Sequence, residues 1–376
     1  MYNSRILHVI GGLGRGGAET WLAQVLPRLV ELGYQVDTLV FNNQTEAYTK
    51  SVIRAGGRIL RISPPSVKGR FIRELKGVLS SEGPFDVVHS HVWLASGIVM
   101  CLAKQAGVKM RITHSRNTSD KHARSLPRRI YATTMRSMLN RYATHAVGIT
   151  EAAGESLFGT RRWASDGIVI PTALDLNPFR TLSVEKSAGE EFGIKPEAFV
   201  VGHVGSFSEQ KNHVALIRIF AALKNINPQS VLLLVGSGPL EKMVRREAAE
   251  SGYEEDIKFV GPRDDVPRLM KSVMDAFLFP SKWEGLGRVI VEAQAAGVPC
   301  IISDVVPRDA DVIPSMVWRV SLDEPPERWA HIVNSVQNLG SEHLPRSPLA
   351  IVEDSAMNIE NTIHLLDQLY KGVAQS

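Results

Sequence analysis

The chain is expected to fold as two successive α/β units, each built on a parallel sheet. Three observations predict this. Short runs rich in aliphatic and β-branched residues alternate with longer stretches of helical apolar spacing. Glycines follow several of these runs, where a strand must turn into a helix. The series stops and restarts across 172–198, where Pro, Asn, Ser and charge accumulate. A length of 376 residues exceeds the usual size of one core and agrees with two domains.

Taken in order, "RILHVIG" (5–11) reads as a strand. Residues 18–32 repeat apolar positions at helical spacing through Trp21, Leu22, Val25, Leu26 and Leu29, and Gly33 supplies the stop. "QVDTLVF" (35–41), "FDVVHSH" (85–91), "MRITHS" (110–115) and "HAVGIT" (145–150) read as further strands. After the join, "FVVGHVGS" (199–206) opens a second series, with 215–223 in a helix. "SVLLLVGSG" (230–238) follows, with a helix from Pro239, a favoured first helical residue. "IKFVG" (257–261), "AFLFPS" (276–281) and "VPCIIS" (298–303) complete the strands, and a helix around 288–297 closes at Gly297. The last helix, 355–371, is amphipathic through Ile359, Ile363, Leu366 and Leu369. Strands alternating with helices imply parallel sheets. Two such sheets facing each other would leave a cleft at their strand C-termini, where α/β ligands bind.

Composition is that of an ordinary globular protein, 44% hydrophobic and 22% charged. No apolar run approaches the roughly 18 residues that span a bilayer. The N-terminus lacks a signal peptide's continuous apolar region, so a cytoplasmic location is expected. Cys101 and Cys300 read as small buried residues of a reducing compartment, not as a disulfide or metal site. The net charge of +4 is unevenly spread. Residues 1–180 hold 24 Lys and Arg against 12 Asp and Glu, and the remainder 19 against 27. The densest basic piece, 104–141, has ten Lys and Arg and one acid, Asp120. It lacks interleaved aromatics and matches no nucleic-acid motif, so a nucleic-acid partner is not expected. An anionic membrane surface fits better.

The stretch "LHVIGGLGRGGAETW" (7–21) carries a G-x-G-x-x-G at Gly12, Gly14 and Gly17. Three readings stand. One is a dinucleotide site, with Asp37 twenty residues beyond Gly17 as the ribose acid. Asp37, however, falls at the start of its strand, whereas the ribose acid belongs at the C-terminal end, here "VFNN". A second is a tight turn without a ligand. The third is a loop whose bare N–H groups, at a helix N-terminus, approach a phosphate or sugar. In the second unit, "SKWEGLGRVIVEAQAAGVP" (281–299) places Glu284 and Glu292 eight positions apart around a Gly-containing turn that opens a helix. Eight residues at helical rise span about 12 Å, comparable to the reach from sugar to ribose in a nucleotide-sugar. The amides of Gly287, Arg288 and Val289 would be helix-start donors suited to a diphosphate. Glu292 sits among Val289, Ile290, Val291 and Ala293, which argues against a merely solvated acid.

Together with "GGLGRGGAE" (11–19), "DVVHSHVW" (86–93), "GSFSEQKN" (205–212), "LLLVGSGPL" (232–240) and "FVGPRDDV" (259–266), "EGLGRVIVEAQAAGVP" (284–299) resembles glycosyltransferase family 4 over nearly the whole chain. The bacterial exopolysaccharide and capsular-type enzymes are the nearest subgroup. The resemblance implies the GT-B fold, two facing Rossmann-like domains with an interdomain cleft. It implies a retaining hexosyl transfer from a nucleotide-sugar, with a UDP- or GDP-sugar as co-substrate and no other cofactor. The acceptor would be a glycan or a lipid-diphosphate-linked sugar in cell-surface polysaccharide biosynthesis. The expected domains are 1–180 for the acceptor and 181–354 for the donor, with the 355–376 helix returning toward the first.

By the same resemblance, Glu284 binds the donor sugar's hydroxyls and Glu292 the ribose. Leu286, Gly287 and Arg288 lend backbone amides, and Lys211 neutralises the departing diphosphate. Ser206 departs from the pattern, since the family usually has Arg there. Arg263 or Arg288 could substitute, and Arg288 is better placed because it starts the same helix as Glu292. His91 matches a histidine near the transferred sugar, with His89 two residues earlier on the same strand face. His114 would line the acceptor side. Gly16 and Gly17 would let the first loop approach phosphates or acceptor, and Gly236 and Gly238 would do so from the second unit. Pro262, Arg263 and Asp264 would contact the base through backbone. The D-x-D at Asp309 and Asp311 falls where the family has a structural loop, so no metal is expected. Same-face displacement, with the leaving phosphate helping to deprotonate the acceptor, is the family mechanism.

Two basic amphipathic stretches, 67–79 (Lys68, Arg70, Arg73, Lys76) and 126–142 (Arg128, Arg129, Arg136, Arg141), are either helices docked on the sheet or an attachment to an anionic leaflet. A nucleotide-sugar-binding module without turnover and an NAD-dependent dehydrogenase stand as alternative functions.

Overall fold

The computed structural model describes residues 4–14, 16–41, 46–117, 125–185, 187–337 and 344–372. Residues 118–124 of the basic stretch, including Asp120, lie outside the described residues, as do Asn42, Asn43, Lys186 and the side chain of Lys68. The chain divides into two units, Met1–Ala173 with Ile359–Ser376, and Leu174–Asn358.

The first unit carries β1 (Arg5–Val9), β2 (Gln35–Val40), β3 (Arg58–Arg61), β4 (Val87–Ser90), β5 (Met110–Ser115), β6 (His145–Gly148) and β7 (Gly167–Val169). They form one seven-stranded sheet in the order β3-β2-β1-β4-β5-β6-β7, every pair parallel. Parallel strands are buried on both faces and therefore read as near-continuous apolar runs. Side chains alternate across the sheet. Ile6 and Ile10 join Trp21, Leu22, Ile363, Leu366 and Tyr370, under the helices Gly17–Glu31 and Ile359–Lys371. Leu7 and Val9 join Phe71, Leu75, Met135 and Leu139 on the opposite face. The C-terminal helix thus completes the core of the first unit.

The second unit carries β8 (Phe199–Val204), β9 (Ser230–Val235), β10 (Ile257–Gly261), β11 (Ala276–Phe279), β12 (Cys300–Ser303) and β13 (Val317–Val320). They form a parallel six-stranded sheet in the order β10-β9-β8-β11-β12-β13. In both sheets the winding reverses once, between β1 and β4 and between β8 and β11. The crevice outside the strand C-termini at such a reversal is where open α/β sheets hold ligands.

Several sequence expectations are corrected. The edge strands β3, β7 and β13 were not expected. They are short, and "RILR" and "VWRV" carry Arg, as edge strands that discourage pairing often do. The helix expected from Pro239 begins at Glu241, and the last helix begins at Ile359, not 355. The units change over at 173/174 and 358/359, whereas 180/181 and 354/355 were expected. The reason is local. Phe179, in the helix Asn177–Thr181, is buried, and Lys271 Nζ donates to the carbonyls of Phe179 (2.9 Å) and Leu182 (2.5 Å). The amide of Leu174 donates to the Met357 carbonyl (2.8 Å), so the outgoing and returning segments pair at the changeover. Asp37 is no ribose acid. Its carboxylate accepts from Arg5 (2.9 and 2.7 Å) and Arg58 (2.8 and 3.1 Å), away from the strand end.

The helices Ser96–Gln105 and Leu126–Tyr142 cross at Gly97, where a Cβ would lie 2.7 Å from the Met135 carbonyl oxygen. Gly97→Ala is expected to lower stability by roughly 1–3 kcal/mol through overpacking. The check is a lower urea midpoint at unchanged slope, and an unchanged midpoint would refute the close crossing.

Candidate functional site

At the reversal in the second unit, the loops after β8 and β11 are tied to each other. The Lys282 amide donates to the Gln210 carbonyl (2.8 Å), Gln210 Nε2 to the Trp283 carbonyl (2.9 Å) and Asn212 Nδ2 to the Pro280 carbonyl (3.1 Å). These bonds bring Lys211 and Glu284 together, Nζ to Oε1 at 2.6 Å. Glu284 is 8% exposed, so it needs a cation beside it. Lys211 Nζ also lies 4.5 Å from the Phe279 ring centre. His213 packs edge-on against Phe207, and burial, with Lys211 nearby, lowers it to about 4. It is therefore neutral and adds no second charge beside the lysine.

Gly287 precedes the helix Arg288–Ala295 at φ 83°, a left-handed conformation that a Cβ would strain. It opens a helix whose Arg288 and Val289 amides precede the first carbonyl of the helix that could serve them, while the Ile290 amide donates to the Gly287 carbonyl (2.8 Å). Leu286 and Gly287 are buried beside it. Glu292 lies one turn along, its Oε1 3.9 Å from Arg288 Nη2 and a quarter of its side chain exposed. Burial raises its pKa, and Arg288 opposes that rise. Of the two substitutes for the missing Arg at Ser206, Arg263 is committed to Asp265 through two bonds (2.7 and 2.8 Å). Arg288 stays beside Glu292, while Ser206 and Asp264 are exposed.

Gly236 and Gly238 have a different task from the one expected of them. A Cβ on Gly236 would lie 2.1 Å from the Gly205 carbonyl oxygen, and one on Gly238 would lie 2.6 Å from the Phe207 backbone. The space beside them belongs to the protein's own chain. Asp311 of the D-x-D is held by Arg319 (2.9 and 2.8 Å).

At the reversal in the first unit, His8 (β1), His89 and His91 (end of β4) and His114 (β5) lie on one sheet face, under Trp21 and Tyr370. His8 Nδ1 meets His91 Nε2 at 3.0 Å, and His91 Nδ1 accepts from Arg116 Nε at 3.2 Å. Both ring nitrogens of His91 are thus taken, which leaves neither for the sugar hydroxyl expected of it. His89 bonds Tyr370 and His114, and His114 bonds the Ile170 carbonyl. Arg116 stacks 4.0 Å from Trp21. Burial, together with Arg116 and neighbouring imidazoles, holds His89, His91 and His114 well below the usual histidine range and His8 at about 3. Ring nitrogens of His8, His89 and His91 lie within 4.8 Å of one another. Their rings are near-parallel (9° to 28°), so the lone pairs do not converge, and Arg116 adds positive charge. The geometry suits mutual hydrogen bonding better than a cation.

The glycine loop is lined by carboxylates. Glu46 accepts from the Leu13 amide, and Glu19 turns back over Gly16, while Gly17 is open. Burial raises the pKa of Glu19, with Glu46 adding to it and Arg116 opposing. Sequence reading missed Glu19, Glu46, His8, Arg116 and Tyr370. His8 had a visible signal, a polar residue in mid-run of an apolar strand, and His203 repeats it in β8.

Residues 16–173 match the model of the glycosyl transferase 4-like domain, and 185–344 that of glycosyl transferases group 1. A Bacillus subtilis (strain 168) protein named as the glycosyltransferase EpsF is 34% identical over 338 residues, covering 88% of this chain and 86% of its own. The Escherichia coli UDP-Gal:alpha-D-GlcNAc-diphosphoundecaprenol alpha-1,3-galactosyltransferase is 33% identical over 141 residues, 36% of each chain. Among solved structures, Anabaena HepE in complex with UDP and glucose superposes with a TM-score of 0.82 at 19% identity, covering 98% of this chain and all of that one.

Lys211→Met would strand Glu284 without its cation and is expected to cost roughly 3 kcal/mol. Adding Glu284→Gln should recover most of that loss, and a double-mutant cycle showing no coupling would count against the pair. Stability should also depend on pH. The buried imidazoles (His8, His89, His91, His114, His203 and His213) have lowered pKa values, so the unfolded chain binds more protons below its own value near 6.5. Their contribution is present in full above that pH. It is lost as pH falls toward the folded values, at roughly 1.4 kcal/mol per pH unit for each imidazole. Glu19, Asp275 and Glu292, raised by burial, pull the other way but are fewer. The urea midpoint should therefore drop between pH 7.5 and 5.5, and a flat profile would contradict the buried neutral cluster.

Proposed function

The chain belongs to the group 1 glycosyltransferases, and from that premise we propose that it moves a hexose from a nucleoside-diphosphate sugar, with retention, to a glycan or lipid-diphosphate-linked acceptor in cell-surface polysaccharide biosynthesis. The observation that carries this is the Lys211–Glu284 pair at the β8/β11 reversal, beside the start of the helix Arg288–Ala295. A carboxylate accepts from sugar hydroxyls, and a fixed cation with helix-start amides stabilises the diphosphate as negative charge grows on it. Glu292 accepts from the ribose diol. The acceptor oxygen bonds to the anomeric carbon as the bond to phosphate breaks, and its proton passes to the leaving phosphate. The UDP in the HepE structure and in the name of the Escherichia coli relative supports a UDP-sugar.

In the first unit, the carboxylates of Glu19 and Glu46 along the glycine loop suit a hydroxyl-bearing acceptor better than a second phosphate. Membrane attachment has support on the helix Leu126–Tyr142. Met135 and Leu139 are buried, but Leu126 and Ile130 are 67% and 61% exposed beside Arg128 and Arg129. Among the described residues no helix is long and apolar enough to cross a membrane. We place the protein at the surface of the inner leaflet, held by these residues.

A thermal-shift screen of UDP-, GDP- and ADP-sugars should select a UDP-sugar, and Glu292→Ala should weaken its binding about 10- to 100-fold. Lys211→Ala should bind donor yet form product on the order of 100-fold more slowly. Donor binding without product formation in the wild type would instead identify an idle binding module. In liposome flotation the protein should rise with anionic vesicles, and Ile130→Glu should prevent it. Flotation unaffected by lipid charge would remove the membrane reading.

A further inference from the structure

Two hydrogen-bond chains run through the histidines of the first unit, and their fixed ends assign every proton along them. The Ile170 carbonyl can only accept, so His114 carries its proton on Nε2 (3.1 Å) and presents a bare Nδ1. His89 must then donate from Nε2 to that Nδ1 (3.3 Å), which leaves its own Nδ1 bare. The Tyr370 hydroxyl, 2.7 Å away, is the donor that fills it. The second chain starts at Arg116, which only donates. Its Nε reaches Nδ1 of His91, so His91 donates from Nε2 to His8 Nδ1, and His8 keeps its proton on Nε2. The chains meet where Arg116 Nη2 lies 3.5 Å from the bare Nδ1 of His114.

We propose that Tyr370 is a positioning residue for transfer: its hydroxyl fills the bare Nδ1 that the chain anchored at Ile170 leaves on His89, and thereby holds His89 and His114 in the tautomer that faces Arg116. The inference rests on the reading that the first unit engages the acceptor. Tyr370, His89 and His114 are all fully buried, so water does not stand in for a lost partner. Without the hydroxyl, His89 has two poor options. It can keep its proton on Nε2 and leave Nδ1 bare in an apolar core. Or it can move the proton to Nδ1, which sets two lone pairs against each other at the His114 contact. His114 could relieve that only by giving up Ile170 and covering the Nδ1 that Arg116 approaches. The second route reaches Arg116 at the strand end through neutral groups, with no change in the packing that a Phe ring would keep.

The test is Tyr370→Phe beside Leu369→Ala, which loosens the same helix without touching the histidines. Imidazole nitrogens are read by ¹⁵N NMR, and turnover is measured with the UDP-sugar chosen by thermal shift and a lipid-diphosphate-linked sugar acceptor. In the wild type His89 and His114 should both show the Nε2–H tautomer. Tyr370→Phe should shift both signals and slow transfer about tenfold while donor KM stays within about twofold, whereas Leu369→Ala should leave signals and transfer unchanged. A wild-type His89 protonated on Nδ1 would overturn the proposal. So would a Tyr370→Phe protein with unaltered signals and normal transfer, or equal losses in both variants. A wild type that transfers nothing would refute the enzymatic reading, and the tautomers would still decide the proton assignment.

Discussion

A buried carboxylate must have a cation at hand, and in the second unit this requirement shapes the site. Glu284 is nearly inaccessible to water, so Lys211 has to stand beside it, and the two belong to loops that follow different strands. Three backbone-directed hydrogen bonds hold those loops in register. The left-handed Gly287 then turns the chain into the helix that carries Arg288 and Glu292. A mobile lysine would lose entropy on meeting a diphosphate. In the transfer proposed above, one already held against Glu284 would have little left to lose, which would favour the charge distribution that develops during bond cleavage.

The two units share a topology yet treat buried polarity in opposite ways. At its reversal the second sets the Lys211–Glu284 ion pair beside neutral His213 and His203. The first disperses buried polarity over four imidazoles, each neutral and each engaged with a partner that fixes its proton. In a low-dielectric interior a fully satisfied polar network specifies a single arrangement, whereas a half-satisfied one is costly. Of the ring nitrogens of these four imidazoles only His8 Nε2 lacks a partner, so the first unit presents a nearly satisfied neutral floor with Arg116 at its margin, and the second a charged one.

Much of this was legible in the sequence because parallel strands announce themselves as apolar runs and their ends as glycines. Met110–Ser115, Ile257–Gly261 and Leu126–Tyr142 fall where the periodicity puts them. The edge strands escaped because three or four residues carry no period, and β3 and β13 are further broken by an arginine. Glu284 and Lys211 could be singled out by motif, although nothing in spacing says that residues 73 positions apart touch. The histidine network was half visible: His89, His91 and His114 drew attention, but Tyr370 lies 281 residues beyond its partner, in a helix whose pattern says only that one face is apolar. Gly236 and Gly238 misled for a physical reason. A missing Cβ admits a ligand and a neighbouring loop equally well, and here the loop arrives first.

The return of the chain at Ile359 orders events in time. A ribosome delivers the first sheet early, then the whole of the second unit, and only afterwards the helix that seals the first. At 5–20 residues per second that interval is on the order of ten seconds or more. Throughout it the face holding Ile6, Ile10 and the imidazoles has only the helix Gly17–Glu31 over it, a span in which nascent chains of this design would depend on chaperone shelter.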